Sequence, residues 1–413
     1  MAMTKTYPGV HIEEVSSGVK PIESASTSTA AFIGRTGKTL PAATYASEPE
    51  LIFTWADYVE KFGALVDGEK RGIRKLSSGV DEMGFAVYNF FMNGGGAAYI
   101  VHVHIPTSAT NPPTESELYG AVFDSLEKLR DISIVCLPGK TFPENGGIIG
   151  LAVAHAEKMK NRMVLIDLDK EPKLKTATNV PSTLTTSEFA VAYYPWLEVP
   201  NPFYKPADPE AANNDAANLP PTLEIAPSGF MAGMWAKIDG RRGVWKAPAG
   251  VETALLGISG LVDEVEDARQ GILNPLGINC IRKMPGFGPV VWGARTLATR
   301  ANPEWRYIPI RRTANMIRES LYNNIQWAVF EPNDHRLWAS LRVNIDAFMN
   351  GLWRAGAFQG EKASDAYFVR CNLGDTMTQD DIDTGKVIVE VGFAPLKPAE
   401  FVIVRIQQKV AQQ

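Results

Sequence analysis

Residues 132–137 read ISIVCL and residues 163–168 read MVLIDL, and these two short apolar runs decide the fold. Between them, an alanine-rich stretch over residues 147–161 has the spacing of a helix. Apolar runs separated by helices are typical of strands in a parallel sheet that is covered on both faces. The run FAVAYYPWLEV at residues 189–199 continues the alternation. The middle of the chain therefore predicts an α/β region with an open, largely parallel sheet.

The flanking sequence adds further elements to this region. Strands are predicted at residues 30–34 and 97–105, and helices at 53–63, 81–93 and 228–239. Residues 200–226 are rich in Pro, Asn, Asp and Ala and predict a surface excursion.

The last third of the chain has a different texture. Residues 307–330 predict a strand followed by a helix, and residues 366–373 and 386–391 predict strands. Residues 333–358 give the clearest helix, which Asn333 or Asp334 can cap. One face of that helix is apolar; it comprises Leu337, Leu341, Ile345, Phe348 and Leu352. This third predicts a second, α+β domain, so the fold class is mixed α/β and α+β.

Composition excludes several classes of protein. The chain has 413 residues, a net charge of −5 and 45% hydrophobic residues, an ordinary globular profile. Its acidic balance argues against nucleic acid as a partner, because phosphate binding needs a basic surface. No run of about 18 uncharged apolar residues predicts a membrane span, and the N-terminal residues lack the apolar core of a signal peptide. Three scattered cysteines favour folding in a reducing cytoplasm.

Both termini carry short apolar strands. In YPGVHIEEV, Val10 and Ile12 alternate with polar residues, and the linker at residues 16–29 could span up to roughly 45 Å when extended. In PAEFVIVRI, the face with Phe401 and Ile403 and the opposite face are both apolar; the opposite face comprises Val402, Val404 and Ile406. Pro395 and Pro398 precede this run and disfavour a tight return onto the strand at 386–391. Each terminal strand therefore needs a partner that the neighbouring sequence does not supply.

The sequence has only weak matches to motifs for phosphate binding, calcium or other metal binding, and catalysis. GRTGKT at residues 34–39 lacks the upstream glycine of a phosphate-binding loop, and DDID at residues 380–383 is not a calcium loop but predicts a turn. His102 and His104 share a strand face without the spacing of a metal site. Asp167 and Asp169 follow a strand at the place where α/β enzymes carry catalytic groups, but no partner motif accompanies them and strand-end aspartates also cap the next helix. We therefore predict no catalytic, cofactor or metal site.

Eight motifs in order along the chain resemble those of contractile tail sheath proteins. They are YPGVHIEEV (7–15), FFMNGGGAAYIVHV (90–103), SGFMAGMWAKIDGRRGVWKAPAG (228–250), VWGARTLA (291–298), WRYIPIRR (305–312), VFEPND (329–334), LWRAGAFQG (352–360) and FAPLKPAEFVIVRI (393–406). Both a phage tail and a phage-tail-like injection system fit them. The chain carries the motifs of both terminal arms, which argues against a sheath split into two subunits.

The resemblance implies a helical homopolymer around an inner tube, in which terminal strands complete the sheets of neighbouring subunits. It implies an N-terminal arm (1–29), an outer α/β region (30–285), a polymer-forming core (286–398) and a C-terminal arm (399–413). Implied partners are the tube, baseplate and tail-terminator or cap proteins, with no nucleic acid, no membrane insertion and no cofactor. Assembly would take place in the bacterial cytoplasm, with release after lysis.

Two sets of residues follow from this reading. The apolar residues of the two terminal strands named above are the predicted strand-pairing residues. Candidate tube contacts lie on the helix that follows residue 333; they are Arg336, Arg342 and Arg354.

Two other functions stay open at the level of sequence. One is an α/β enzyme that uses the region of Asp167, and the other is a binding module displayed on a particle, with residues 200–226 as its contact surface.

Overall fold

The computed structural model describes residues 21–41, 44–76, 79–105, 112–204, 219–298 and 302–401. The chain divides into two compact units. The larger comprises Ser24–Glu319 with Pro395–Gln413, and the smaller comprises Ser320–Ala394 with Met1–Glu23. The domain boundaries at 285/286 and 398/399 stay predictions.

An eight-stranded sheet forms the centre of the larger unit. Its strands are β1 (Ala30–Gly34), β2 (Glu50–Ile52), β5 (Ala98–His102), β6 (Ile134–Phe142), β7 (Met163–Leu168), β8 (Ala190–Tyr194), β12 (Ile278–Met284) and β13 (Gly288–Trp292). Their order is β13-β12-β8-β7-β6-β1-β5-β2, and all neighbouring pairs are parallel except those made by the two edge strands. The predicted open α/β sheet is confirmed.

Helices cover both faces of this sheet. Along β1, Ala30 and Phe32 belong to one core cluster while Ala31 and Ile33 belong to the other. The larger unit's helices are α1 (Trp55–Phe62), α2 (Glu82–Met92), α3 (Glu115–Leu126), α4 (Gly146–Met159), α5 (Ser228–Arg242), α6 (Asp267–Leu273) and most of α7 (Ile308–Asn324). Helices α2 and α5 pack on one face, and α3 and α4 on the other. The alternation of buried residues explains why these strands are apolar on both faces.

Short strands complete the larger unit. They are β3 (Ala64–Val66) with β4 (Glu69–Arg71), and β9 (Leu197–Pro200) between β10 (Thr222–Ile225) and β11 (Gly260–Leu261). The run at 189–199 is thus two strands in two sheets. The predicted excursion at 200–226 is wrong at its end, where β10 pairs with β9.

The smaller unit is built around α8 (His335–Arg354). Asp334 caps this helix by accepting hydrogen bonds from the backbone N–H groups of Arg336 and Leu337 at 2.9 and 3.1 Å. The other elements are α9 (Ala363–Ala366), β14 (Tyr367–Arg370), α10 (Gln379–Asp383) and β15 (Glu390–Phe393). Strands β14 and β15 pair antiparallel, and the core gathers Leu337, Trp338 and Leu341 of α8 with Cys371 and Met377.

Three local predictions in the last third are wrong. The strand predicted to begin at Tyr307 does not form, because Tyr307 makes an isolated bridge and α7 begins at the next residue, Ile308. DDID lies within α10, since Thr378 and Asp381 form a capping box that starts a helix. The predicted strand at 386–391 begins only at Glu390.

Candidate assembly site at the roots of the terminal segments

The predicted strand-pairing residues lie almost entirely outside the described residues. Those outside are Val10, Ile12, Val402, Ile403, Val404 and Ile406. Phe401 is described; it is 74% exposed and belongs to no strand. The structure also describes the residues of the larger unit that adjoin each terminal segment. We call residues 24–29 the N-terminal root and residues 398–401 the C-terminal root.

Glu400 fixes the C-terminal root. Its carboxylate accepts two hydrogen bonds from Arg295, at 2.8 Å from Nε and 2.5 Å from Nη2, and a third from the Tyr307 hydroxyl at 3.2 Å. Arg295 is only 8% exposed, and its hydrogen bond to Glu400 raises the pKa of its guanidinium. A bidentate arginine–carboxylate pair fixes orientation as well as distance. The C-terminal root therefore has a defined direction.

The backbone of Arg295 is itself held in place. Asn279 of β12 accepts a hydrogen bond from the Arg295 N–H at 2.7 Å and donates one to the Arg295 carbonyl at 2.8 Å. Gly293 allows this approach, because a Cβ there would lie 2.9 Å from the Asn279 Cα. The central sheet thus carries the arginine that holds Glu400.

Arg312 fixes the N-terminal root. This α7 residue is 4% exposed and makes a bidentate pair with Asp239 of α5 at 2.9 and 2.6 Å. Its Nη2 also donates to the Thr27 carbonyl at 2.8 Å, and the Thr27 hydroxyl donates to Asp239 at 2.6 Å. Its guanidinium lies 4.4 Å from the Trp235 ring centre. Burial raises the pKa of Asp239, and Arg312 opposes that shift.

The three candidate tube-contact arginines do not share one face of α8. Arg336 and Arg354 are both exposed and are 18 residues apart, about five turns, which places them on one face with the exposed Val343. Arg342 lies about 120° around the helix and donates a hydrogen bond to the Cys371 carbonyl. Only two of the three are therefore free to meet a partner together.

Comparison with solved structures identifies what this architecture belongs to. The anti-feeding prophage (AFP) helical sheath in its contracted state is 31% identical, with 98% of this chain and 100% of that chain covered and a TM-score of 0.77. The chain belongs to the contractile sheath protein family. The sheath of an extracellular contractile injection system, the PVC sheath complex in its contracted state, is similarly related, at 28% identity, 99% coverage of each chain and a TM-score of 0.72.

Sequence comparison connects this sheath protein to phages as well. Residues 300–409 match the family model of the phage tail sheath C-terminal domain. Tail sheath proteins of Vibrio phage KVP40 and Burkholderia phage BcepMu are 25% and 32% identical over 42% and 32% of this chain. The matches span 25% and 29% of the length of those two phage proteins.

Of the two candidate catalytic aspartates, Asp167 has a structural role in this sheath protein. Asp167 accepts hydrogen bonds from the backbone N–H and the hydroxyl of Ser228, at 2.9 and 2.6 Å. These groups lie at the start of α5, whose own N-cap residue, Pro227, supplies no side-chain bond. Asp167 thus caps α5 from the end of β7 and has no water-exposed face for a substrate.

The described residues offer no arrangement suited to metal binding or to thiol chemistry. His102 is buried, and its Nδ1 accepts a hydrogen bond from the Thr36 N–H at 3.0 Å. Burial lowers its pKa to about 4. Within the described ranges, no group of three or more His, Cys, Asp or Glu side chains could hold a metal ion. All three cysteines are buried, which raises the pKa of each thiol; the cysteines are Cys136, Cys280 and Cys371.

A cavity adjoins the segment that the binding-module hypothesis uses. It measures about 530 Å³ and is lined by aromatic residues of α1 and α2, including Trp55 and Tyr88, and by Phe203. That volume is within the range of small-molecule pockets.

No helix in the described part of the chain has the length and hydrophobicity that crossing a membrane requires.

Sequence reasoning missed the residues that hold both roots. Arg295, Arg312 and Glu400 each lie within a motif that carries the family resemblance. Arg295 and Glu400 each adjoin apolar residues in sequence, Arg312 follows the apolar residues Ile308 and Ile310, and charged residues are rarely buried unless they are paired. That signal could have selected them, although it could not have matched them with their partners.

Proposed function

We propose that this chain is the repeating subunit of a contractile sheath. Copies polymerise helically around an inner tube by exchanging terminal strands, and contraction drives the tube through a target envelope. The observation that carries this proposal is the near full-length similarity to the AFP helical sheath in its contracted state, with 98% and 100% coverage. A match of that extent includes both terminal regions.

The physics of the termini supports strand exchange. Each terminal segment carries a short run with apolar residues on at least one face, and each adjoins a root held by a buried arginine. Strand addition to another subunit would satisfy the backbone groups of a segment that has no partner nearby in sequence. A head-to-tail contact of this kind repeats into an open helix.

Partners and energetics follow from the same proposal. The chain is 31% identical to one in the AFP baseplate structure, with a TM-score of 0.75, which supports association with a baseplate. The inner tube and a cap or terminator protein complete the set, without nucleic acid and without insertion into a membrane. The sheath would assemble in the bacterial cytoplasm and leave it on lysis. The subunit needs no catalytic activity, because a metastable extended polymer can store the energy of contraction.

Electron microscopy of the purified chain, alone and co-expressed with its tube protein, tests the proposal. We expect long hollow helical tubes. Discrete particles under both conditions would contradict it. A chain lacking residues 1–14 is the matched variant: it should stay folded by circular dichroism and form no tubes. Normal tubes from the truncated chain would refute strand exchange by the N-terminal segment.

A further inference from the structure

The two roots are held by neighbouring parts of one backbone unit. Arg295 and Tyr307, which bind Glu400, form an isolated antiparallel bridge. On either side of it, the Thr296 N–H donates to the Arg306 carbonyl at 2.8 Å and the Ile308 N–H donates to the Ala294 carbonyl at 3.0 Å. Ile308 begins α7, which carries Arg312 little more than one turn later. The residues that hold one root are thus hydrogen-bonded to the start of the helix that holds the other.

We propose that Arg295 and Arg312 are positioning residues that give the two terminal arms fixed origins on a common frame. This inference rests on the proposed function, since it takes the segments beyond the roots to be arms. The frame is the bridge between residues 294–296 and 306–308 together with the first turn of α7. When a subunit moves within the sheath, the two origins keep their separation, and only the chain beyond each root changes direction.

Buried ion pairs also occur where no arm begins, and one of them provides a control. Buried Arg269 pairs with the partly buried Asp263 in the same unit, and the Tyr194 hydroxyl joins the pair. The chemistry is the same as at Glu400: an arginine, a carboxylate and a tyrosine. The inference therefore depends on where the Glu400 and Asp239 pairs lie, at the roots.

The effect of releasing a root can be estimated from chain length. Phe401 lies seven residue steps after Ala394, whose carbonyl accepts a hydrogen bond from the Gln359 N–H at 2.9 Å. A free chain of seven residues has an end-to-end distance on the order of 15 Å. Without the Glu400 pair, Phe401 should sample positions across such a range.

Distance measurements between spin labels test the inference on the full-length chain. The native cysteines are all buried, so labels attach selectively to introduced cysteines. Three label pairs are needed: S24C with F401C for the separation of the roots, and each of these with K128C as an exposed reference on the larger unit. Dilution with unlabelled chain restricts the signal to intramolecular pairs.

We expect narrow distance distributions for all three pairs in the parent chain. Glu400→Gln should broaden the 401–128 and 24–401 distributions and leave 24–128 narrow. Asp239→Asn should broaden 24–128 and 24–401 and leave 401–128 narrow. The matched Asp263→Asn control should change none of them. Unchanged distributions in both root variants, or equal broadening in the control, would overturn the inference.

Assembly is scored separately by electron microscopy. Loss of tubes in the chain lacking residues 1–14, together with unchanged label distances in the root variants, would refute the fixed origins while the sheath function stands. Broadened distances with normal tubes from both root variants would show that the roots are held but that assembly does not need them, which also overturns their positioning role.

Discussion

Two carboxyl groups of the larger unit are withdrawn from water: Asp167 is buried, and Glu82 is partly buried. Burial raises the pKa of Glu82 to about 8, and the charges of Asp167 and Asp81 add to that shift. Burial also raises the pKa of Asp167 to about 7, although its hydrogen bonds from Ser228 act in the opposite direction. At neutral pH the folded chain therefore keeps protons that the unfolded chain releases.

This proton binding makes stability depend on pH. Both carboxyl groups bind protons more tightly in the folded chain than in the unfolded chain. The contribution of Asp167 to stability is therefore complete below its ordinary pKa of 3.8 and is lost as the pH rises through about 7. The contribution of Glu82 is complete below its ordinary pKa of 4.5 and is lost as the pH rises through about 8. Glu82→Gln removes one of these groups and should flatten the decline between pH 5 and pH 8. Each unit of difference between the folded and unfolded pKa corresponds to about 1.4 kcal/mol in the free energy of unfolding. Urea denaturation at several pH values measures it.

Exposed Glu144 provides the control for this prediction. Glu144→Gln makes the same substitution at an exposed position and serves as the matched variant in the same denaturation series. An equal decline in the Glu82→Gln variant and the parent chain would show that Glu82 does not carry a raised pKa.

For single residues, the sequence shows which side chains are charged but not which of them form pairs in the folded chain. Arg295 and Glu400 are 105 residues apart, and Arg312 and Thr27 are 285 apart. Pairing over such distances is set by the topology of the sheet, which no local pattern reports. Asp167 could be placed at a strand end from sequence, but its bonds to α5 depend on a helix that begins 61 residues later.

Helices α2 and α5 pack closely because two glycines face the α2 backbone. A Cβ on Gly229 would lie 2.4 Å from the Ala86 carbonyl oxygen, and one on Gly233 would lie 2.4 Å from that of Phe90. Contacts so short force the helices apart. Gly233→Ala should therefore lower the free energy of unfolding by about 1–3 kcal/mol, as measured by urea denaturation.

Gly240 on the same helix is the matched control. Nothing lies within 4 Å of a Cβ placed there. Gly240→Ala should raise the free energy of unfolding by about 0.5–1 kcal/mol, since alanine favours a helix. Equal effects of the two substitutions would mean that close packing does not depend on Gly233.

The exposed face of α8 is the surface that we expect to bind the tube. Arg336 and Arg354 share that face, whereas Arg342 supports the smaller unit through Cys371. Replacing both exposed arginines with glutamate should weaken co-assembly with an acidic tube. The difference from the parent chain should shrink as salt rises, because salt screens exposed charges. Sedimentation of tube-bound sheath over a salt series measures it.

A control with the same change in charge uses Lys362 and Arg370, both exposed in the smaller unit. Lys362→Glu with Arg370→Glu should leave tube binding near that of the parent chain. Equal losses in both double variants would indicate a general charge effect, and no loss in either would place the tube contact elsewhere.

Elements with strong patterns could be predicted from sequence, and weak ones could not. The run at 163–168 and the helix after Asp334 have bounds that the structure reproduces closely. The apolar start of the run at 386–391 is not a strand, because β15 pairs with β14 only from Glu390. Tyr307 precedes a helix although its neighbours favour a strand, since its partner in the fold is Arg295. In both cases the pairing available in the folded chain, and not local propensity, decides whether a strand forms.

On the scale of the whole molecule, the sheath proposal requires that the termini meet between subunits. Val10→Cys and Ile403→Cys place one thiol on each terminal segment, and the buried native cysteines do not compete. Oxidation of assembled sheath made from the double variant should give a ladder of covalent multimers on a non-reducing gel, because each chain can bond to two others.

Single-cysteine chains decide how these crosslinks arise. Each single variant alone should give no ladder, since one thiol can join at most two chains. A sheath assembled from an equal mixture of the two single variants should give dimers that contain one chain of each kind, because in this mixture a bond between Val10→Cys and Ile403→Cys can form only across a subunit boundary. Monomeric products from the double variant, with no mixed dimers from the single variants, would mean that each chain closes on its own termini. Strand exchange could not then build the helical polymer.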